Sequence, residues 1–255
     1  MPYIQLNDLN LYYEELGIGE PVLFLHSHFS RGILAFGAQI QPFQGKYRCL
    51  FPDFRGHGRT ICKDLTWNSR RIADDMAAFL DALGIHRAHL VGYSCGAYVG
   101  LYLAAKYPEK VRSLVTIGGG AYPRPQGAED FLPENLLARQ EETVIRETEA
   151  RHMDAHRGDW RTFLEQTVAD WKTHPNLTEE EWRNITCPAL FINGENDPFG
   201  TCGELKEKVP QAQTYEVKGG SHRPHFVMEQ GREINARILG FIDGLPDEPG
   251  VKAQR

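Results

Sequence analysis

The sequence predicts an α/β protein: a mainly parallel central sheet flanked by helices, with a helical cap inserted after the sixth strand. Three observations predict it. Short, nearly continuous apolar runs recur along the chain, as strands buried on both faces of a parallel sheet require. Segments with helical spacing alternate with those runs. The alternation breaks once, after Gly120, into a long charged stretch. A chain of 255 residues is long enough for one large domain with a sizeable core.

The elements follow in order. "YIQLNDLNLYYEEL" alternates apolar and polar residues around Asn7 and Asp8, which predicts a β-hairpin with an Asn-Asp turn. "PVLFLH" (Pro21 to His26), "YRCLFPD" (Tyr47 to Asp53), "RAHLVGY" (Arg87 to Tyr93), "VRSLVTIGG" (Val111 to Gly119) and "PALFING" (Pro188 to Gly194) read as buried strands. "NSRRIADDMAAFLDALG" places Ile72, Met76, Phe79, Leu80 and Leu83 at helical spacing, with Gly84 as the stop. "CGAYVGLYLAAKYPE" is a small-residue helix ending before Pro108. From Tyr122 to about Arg183 come charged helical segments, "ENLLARQEETVIRETEARHMDAH" and "DWRTFLEQTVADWK". We therefore expect a core of residues 1–120 and 184–247, a helical cap of residues 121–183, and a frayed tail at 248–255.

Composition excludes several classes. The formal net charge is -6, the sequence pI is about 5.9, and no basic run stands out, so nucleic acid is not an expected partner. The N-terminus lacks the basic start and apolar core of a signal peptide, and no apolar run approaches the ~20 residues that span a bilayer. The five cysteines, Cys49, Cys62, Cys95, Cys187 and Cys202, are odd in number and scattered, as reduced thiols in the cytoplasm would be. No CxxC pair offers a thiolate zinc site. The expected protein is a cytoplasmic monomer or homodimer acting on a small molecule.

The chemistry concentrates in "HLVGYSCGAYVG". Gly92-Tyr93-Ser94-Cys95-Gly96 matches G-x-S-x-G between a buried strand and a small-residue helix. A nucleophilic serine needs that place, because the turn is tight and side chains at positions 92 and 96 would collide with backbone. The helix start aims backbone N–H groups at the reaction centre. A serine hydroxyl also needs a base, and the base an orienting acid. "FINGENDPFG" sets Asp197 just beyond a strand end, and "TYEVKGGSHRPHF" gives a strand, a Gly-Gly turn and His222.

On these residues the chain resembles the α/β-hydrolase superfamily, in its compact, capped, esterase-like branch. "VLFLHSHFS" matches the family's strand ending in His-Gly, and "FPDFRGHGRT" its Asp-x-x-Gly-x-Gly-x-Ser segment. "VGYSCGA" matches the nucleophile turn, "LFINGENDPF" the acid strand and "KGGSHRPHF" the histidine loop, over nearly the whole length. The resemblance implies an α/β-hydrolase fold and cleavage of an ester or lactone through an acyl-enzyme, with no cofactor. Ser94 would be the nucleophile, His222 the base and Asp197 the acid, with His28 and Cys95 N–H groups as the oxyanion hole. Ser27, Phe29 and Arg223 are candidate substrate contacts.

Competing residues have plainer readings. Glu195 is two residues from Asp197, but the family's Gly-x-x-Asp pattern selects Asp197, and Gly-x-x-His selects His222 over His225. Asp53 and His57 read as loop-shaping residues, and Asp74 and Asp75 lie on a helix face. His26 with His28, and His152 with His156, are pairs a zinc ion accepts, yet no third ligand has a matching spacing, so no metal is expected. Gly118-Gly119-Gly120 lacks the phosphate-loop pattern and reads as a flexible exit into the cap. The cap residues Phe131, Leu132, Leu136, Leu137, Trp160 and Phe163 have apolar spacing that more often serves packing than a pocket.

Three departures point elsewhere in the superfamily. Ser27 replaces the family's glycine, Cys95 follows the nucleophile, and Arg223 follows the histidine. Hydroxynitrile lyases carry a hydroxyl residue, a cysteine and a lysine there, so a carbon–carbon lyase is an alternative. Slow-turnover small-ligand receptors on the same fold are another.

Overall fold

The computed structural model of the chain describes residues 3–226 and 228–246. Nine strands occur among them: β1 (Tyr3–Leu6), β2 (Leu9–Leu16), β3 (Glu20–Leu25), β4 (Tyr47–Pro52), β5 (Ile61–Cys62), β6 (Ala88–Tyr93), β7 (Val111–Ile117), β8 (Ala189–Gly194) and β9 (Gln213–Val217). The helices are α1 (Gly32–Ala35), α2 (Gly37–Gln44), α3 (Ser69–Ala82), α4 (Cys95–Lys106), α5 (Pro133–Ala138), α6 (Glu142–His156), α7 (Trp160–Thr173), α8 (Glu179–Asn184), α9 (Cys202–Lys208) and α10 (Gly231–Asp243). The tail expected to fray lies outside the described residues.

The strands form one sheet in the order β1-β2-β4-β3-β6-β7-β8-β9, with β5 paired to β2. Pairing is parallel from β4 to β9 and antiparallel where β2 meets β1, β4 and β5. The hairpin closes at Leu6 opposite Leu9, so Asn7 and Asp8 make the turn, and Asn7 takes the φ of 31° that a tight turn needs. β5 is two residues long, too short to show an alternation. With it counted, the cap helices follow β7, the sixth of the long strands.

Alternation along the buried strands divides the core. Leu23, Leu25, Leu50, Leu90 and Leu114 face one side, with the apolar faces of α3 and α4. Val22, Phe24, Phe51, Val91 and Val115 face the other, with Phe36, Phe43, Ile234 and Ile238 from the α1–α2 region and α10. A sheet covered on both faces has no polar side to show, which is why its strands read as continuous apolar runs. From Cys95 to Ala105 every residue of α4 is buried, so it too lacks a polar face.

The charged stretch after β7 holds α5, α6, α7 and α8. The first predicted helical segment is two helices, broken where Gln140 takes a φ of 58°. α8 packs against α4 with Trp182 buried.

Strand order fixes where a site can form. The chain steps from β3 outward to β4, then returns to place β6 on the other side of β3. That reversal opens a crevice beyond the carboxyl ends of β3 and β6, the usual ligand position in open α/β sheets. Residues 26–29 follow β3 and Ser94 follows β6.

Candidate active site

Ser94 sits between β6 and α4 with φ 55° and ψ -117°, a conformation that costs a side-chain-bearing residue about 1–3 kcal/mol. Its N–H donates to the Ile117 carbonyl at 2.9 Å. The flanking glycines make the turn possible. A Cβ at position 92 would lie 2.2 Å from the Gly96 oxygen, and one at position 96 would lie 1.8 Å from the Leu25 oxygen. Helix α4 therefore starts almost in contact with the end of β3. The first N–H groups of a helix have no intrahelical partner, and Cys95 and Gly96 present theirs here.

Ser94 Oγ lies 3.0 Å from His222 Nε2. On the far side of the ring, Nδ1–H faces both carboxylate oxygens of Asp197 at 3.0 Å. The carboxylate can only accept, so the proton sits on Nδ1 and Nε2 offers a lone pair to the serine hydroxyl. The Asp197 side chain is fully buried and that of His222 is 19% exposed. Asp197 also accepts from the Phe199 N–H at 2.9 Å and from Asn193 Nδ2 at 3.3 Å. Asn193 Nδ2 reaches the Gly119 and Gly200 carbonyls as well, tying the acid loop to the end of β7.

The glycine run after β7 is a correction to expectation. It is closely packed, not a flexible exit. A Cβ on Gly118, whose φ is 65°, would lie 2.9 Å from His222 Cε1, and one on Gly120 would lie 2.7 Å from the Phe199 carbonyl. The glycines make room for the histidine ring and the acid loop.

The competing residues are engaged elsewhere. Exposed Glu195 accepts from the Gly219 N–H at 2.8 Å. Asp53 is buried and accepts from the Gly32 and Arg59 N–H groups, and burial raises its pKa. Asp74 pairs with Lys106 and Asp75 with Arg55. His225 faces the Ala35 carbonyl at 3.1 Å, and burial lowers its pKa to about 3. His57 Nδ1–H donates to the Arg55 carbonyl, and its pKa is likewise about 3 through burial. His152 and His156 use their Nδ1 atoms to accept from the Gly58 and Gly158 N–H groups.

The three departures have different surroundings. Half-buried Ser27 lies on the loop after β3. Cys95 is fully buried with its sulfur 3.6 Å from Ser69 Oγ, and burial pushes its thiol pKa far up, so it is inert at neutral pH. Arg223 is exposed, with its guanidinium 5.7 Å from the Phe226 ring centre.

The family model described as the alpha/beta hydrolase family matches residues 22–237. This chain belongs to that family. A putative carbamate hydrolase, RutD, of Azorhizobium caulinodans is 29% identical, with 94% of this chain and 98% of the relative covered. RutD of Caulobacter vibrioides is 32% identical, over 92% of this chain and 96% of the relative. Among solved structures, a carboxylesterase of the thaumarchaeon Nitrososphaera gargenis has a TM-score of 0.76 at 21% identity, covering 95% of this chain and 98% of that one. That last likeness is one of fold.

Several residues of this alpha/beta hydrolase escaped sequence reasoning. Trp171 and Phe199 stack at 5.9 Å between ring centres, and Phe199 lies 4.6 Å from the His222 ring. Phe29 and Phe131 complete an aromatic wall with Trp171. Of the expected cap residues, Phe131 joins this wall. Leu136, Trp160 and Phe163 are buried, Leu132 is half-buried and Leu137 is exposed. Asp170, on α7, reaches His28 Nε2 at 2.9 Å. With Cys95 these two residues bring three potential ligand atoms within 4.8 Å of one another. The carboxylate takes hydrogen bonds from the Ser69 N–H and hydroxyl and faces both His28 and His174. A surface groove of about 440 Å³ lies along β9 and α10, and none of its lining residues belongs to the site.

Proposed function

We propose that the protein hydrolyses a carboxylic ester or lactone of a small molecule through an acyl-enzyme on Ser94. The observation that carries this reading is the continuous line from Ser94 Oγ through His222 to Asp197, with both contacts at 3.0 Å. In the first step His222 Nε2 takes the hydroxyl proton as Ser94 Oγ attacks the carbonyl carbon. Asp197 keeps the ring in the correct tautomer and stabilises the imidazolium that forms. Backbone N–H groups of His28 and Cys95 hold the oxyanion, each such donor contributing about 3 kcal/mol to the barrier reduction. The imidazolium then protonates the leaving oxygen. Water, deprotonated by His222, releases the acid and restores Ser94. No step calls on a metal or an organic cofactor.

Relatives named carbamate hydrolases favour a carbamate as a second substrate class, because the same acyl transfer serves a carbamate carbonyl. The lyase alternative rests on Ser27, Cys95 and Arg223; Arg223 is exposed with its guanidinium 5.7 Å from the Phe226 ring centre, and the cyanohydrin arm below tests it. Five free, buried cysteines support a reducing compartment such as the cytoplasm. No helix among the described residues is long and apolar enough to cross a membrane.

The test is a panel of p-nitrophenyl esters of increasing chain length, lactones, a carbamate and a cyanohydrin, with Ser94→Ala as control. Ester or lactone turnover lost in Ser94→Ala supports the reading. Carbamate turnover alone would move the substrate class. Cyanide release with no ester cleavage would overturn hydrolysis, and a single burst without turnover would mark a receptor.

A further inference from the structure

We infer that Asp170 is a positioning residue, through which the cap holds the oxyanion loop in its working shape. The inference deepens the proposed acyl-transfer reading and rests on it.

Asp170 comes from cap helix α7, and its side chain is fully buried. It gathers four partners. The Ser69 N–H donates to it at 2.8 Å and the Ser69 hydroxyl at 2.6 Å. His174 Nδ1 lies at 2.9 Å, and His28 Nε2 at 2.9 Å. Burial alone would raise the carboxyl pKa. The hydrogen bonds from His174 and His28 outweigh it and hold the group well below the usual carboxylate range. A buried charge with this many donors has one satisfied arrangement, which makes it a rigid point.

His28 is the residue whose N–H is assigned to the oxyanion, and its imidazole is the only one of the four partners that belongs to the loop after β3. A second cap contact holds the next residue: Arg151 of α6 donates to the Phe29 carbonyl at 2.5 Å. The loop after β3 is thus fastened from above by two cap helices. An oxyanion donor is effective only if it is already in place when charge develops, and a displacement of about 1 Å can cost about 10²-fold in rate. Loss of the Asp170 charge should therefore be felt in the transition state and not in substrate affinity.

The test measures kcat and KM for p-nitrophenyl acetate, affinity for a trifluoromethyl ketone and the thermal midpoint in Asp170→Asn, His28→Asn and the double variant. The ketone's tetrahedral adduct places an oxyanion in the hole. We expect kcat to fall about 10- to 100-fold in Asp170→Asn, with KM within about threefold and ketone affinity falling with kcat. His28→Asn should show the same loss, and the double variant should lose no more than either single change. Three results overturn the inference: kcat within about twofold of the parent in a folded single variant, a loss carried by KM, or losses that multiply in the double. If Asp170→Asn does not fold, His28→Asn decides by the same criteria. Turnover surviving in Ser94→Ala would sink the hydrolysis reading and this inference with it. Turnover lost in Ser94→Ala but unchanged in Asp170→Asn sinks this inference alone.

Discussion

Two Asp–His pairs, His222–Asp197 and His28–Asp170, have different surroundings. His222 and Asp197 stand on loops after β9 and β8, within the core. His28 and Asp170 join the core to the cap, 142 residues apart along the chain. In the first pair the ring keeps 19% of its surface open and turns its second nitrogen to Ser94. In the second both side chains are buried, and His28 Nδ1 has no hydrogen-bond partner among the described residues. The chemical pair is the same. What the second ring nitrogen faces differs: Ser94 Oγ in the first pair, no hydrogen-bond partner among the described residues in the second.

Breaking the first pair at its target should give the largest effect. Ser94→Ala is expected to lower kcat for an activated ester by about 10⁶-fold while the thermal midpoint barely moves, because the side chain is small and faces the crevice. Near-parental turnover in that folded variant would remove the nucleophile from the site.

Next comes the acid. Asp197→Asn leaves shape intact but lets the ring adopt the wrong tautomer, a loss of about 10⁴-fold in kcat. Glu195→Gln, which only releases a contact to the Gly219 N–H, should stay within a few-fold. Steady-state kinetics on the two variants sharpen the comparison, since Asp170→Asn is expected to fall between them. A crippled Glu195→Gln with a healthy Asp197→Asn would reverse the assignment.

The seam between core and cap should respond to acid. His57 packs against Trp67, His152 and Phe163, and burial holds its pKa at about 3, below the ordinary 6.5. The folded state keeps this ring neutral where the unfolded chain takes up a proton. Its contribution to stability is therefore complete above about pH 6.5 and declines as pH falls toward 3, by about 1.4 kcal/mol per pH unit. Buried His225, also held at about 3, adds in the same sense. Urea unfolding followed across this range should show a falling midpoint, with the slope reduced by about one proton in His57→Asn. An unchanged slope in that variant would mean that His57 titrates alike in both states.

The smallest effect is expected at Arg223. Because its guanidinium lies over Phe226, Arg223→Phe should keep ester hydrolysis within about tenfold, or ~1.4 kcal/mol of barrier. Measured cyanide release from mandelonitrile, lost in the same variant, would return the lyase to contention.

Much of the first pair was readable in the sequence, and little of the second. Gly92 and Gly96 announce the nucleophile turn because no other residue fits beside that backbone. Asp197 and His222 follow from chain order and from the glycine spacings of the α/β-hydrolase pattern that these segments resemble. Asp170 carries no such mark. It is one of two carboxylates, with Glu165, on an amphipathic helix, and only its partners distinguish it. Asn193, Trp171 and Phe199 are silent for the same reason. Gly118 to Gly120 looked like a loose exit because glycine has two uses, conformational freedom and close approach, and composition does not tell them apart.

By itself, then, the sequence determined the strand and helix alternation, the two-sided burial of the sheet and the turn that projects Ser94. Each follows from forces acting within a few residues: periodicity that selects the buried face, and sterics that only glycine relieves. The tertiary structure alone decided which side chains from distant segments share the crevice. It set Asp170 of the cap on His28 of the loop after β3, turned Cys95 toward Ser69 and left Arg223 in solvent. A contact between residues far apart in the chain depends on how whole elements pack, and no local pattern records where a helix will come to rest.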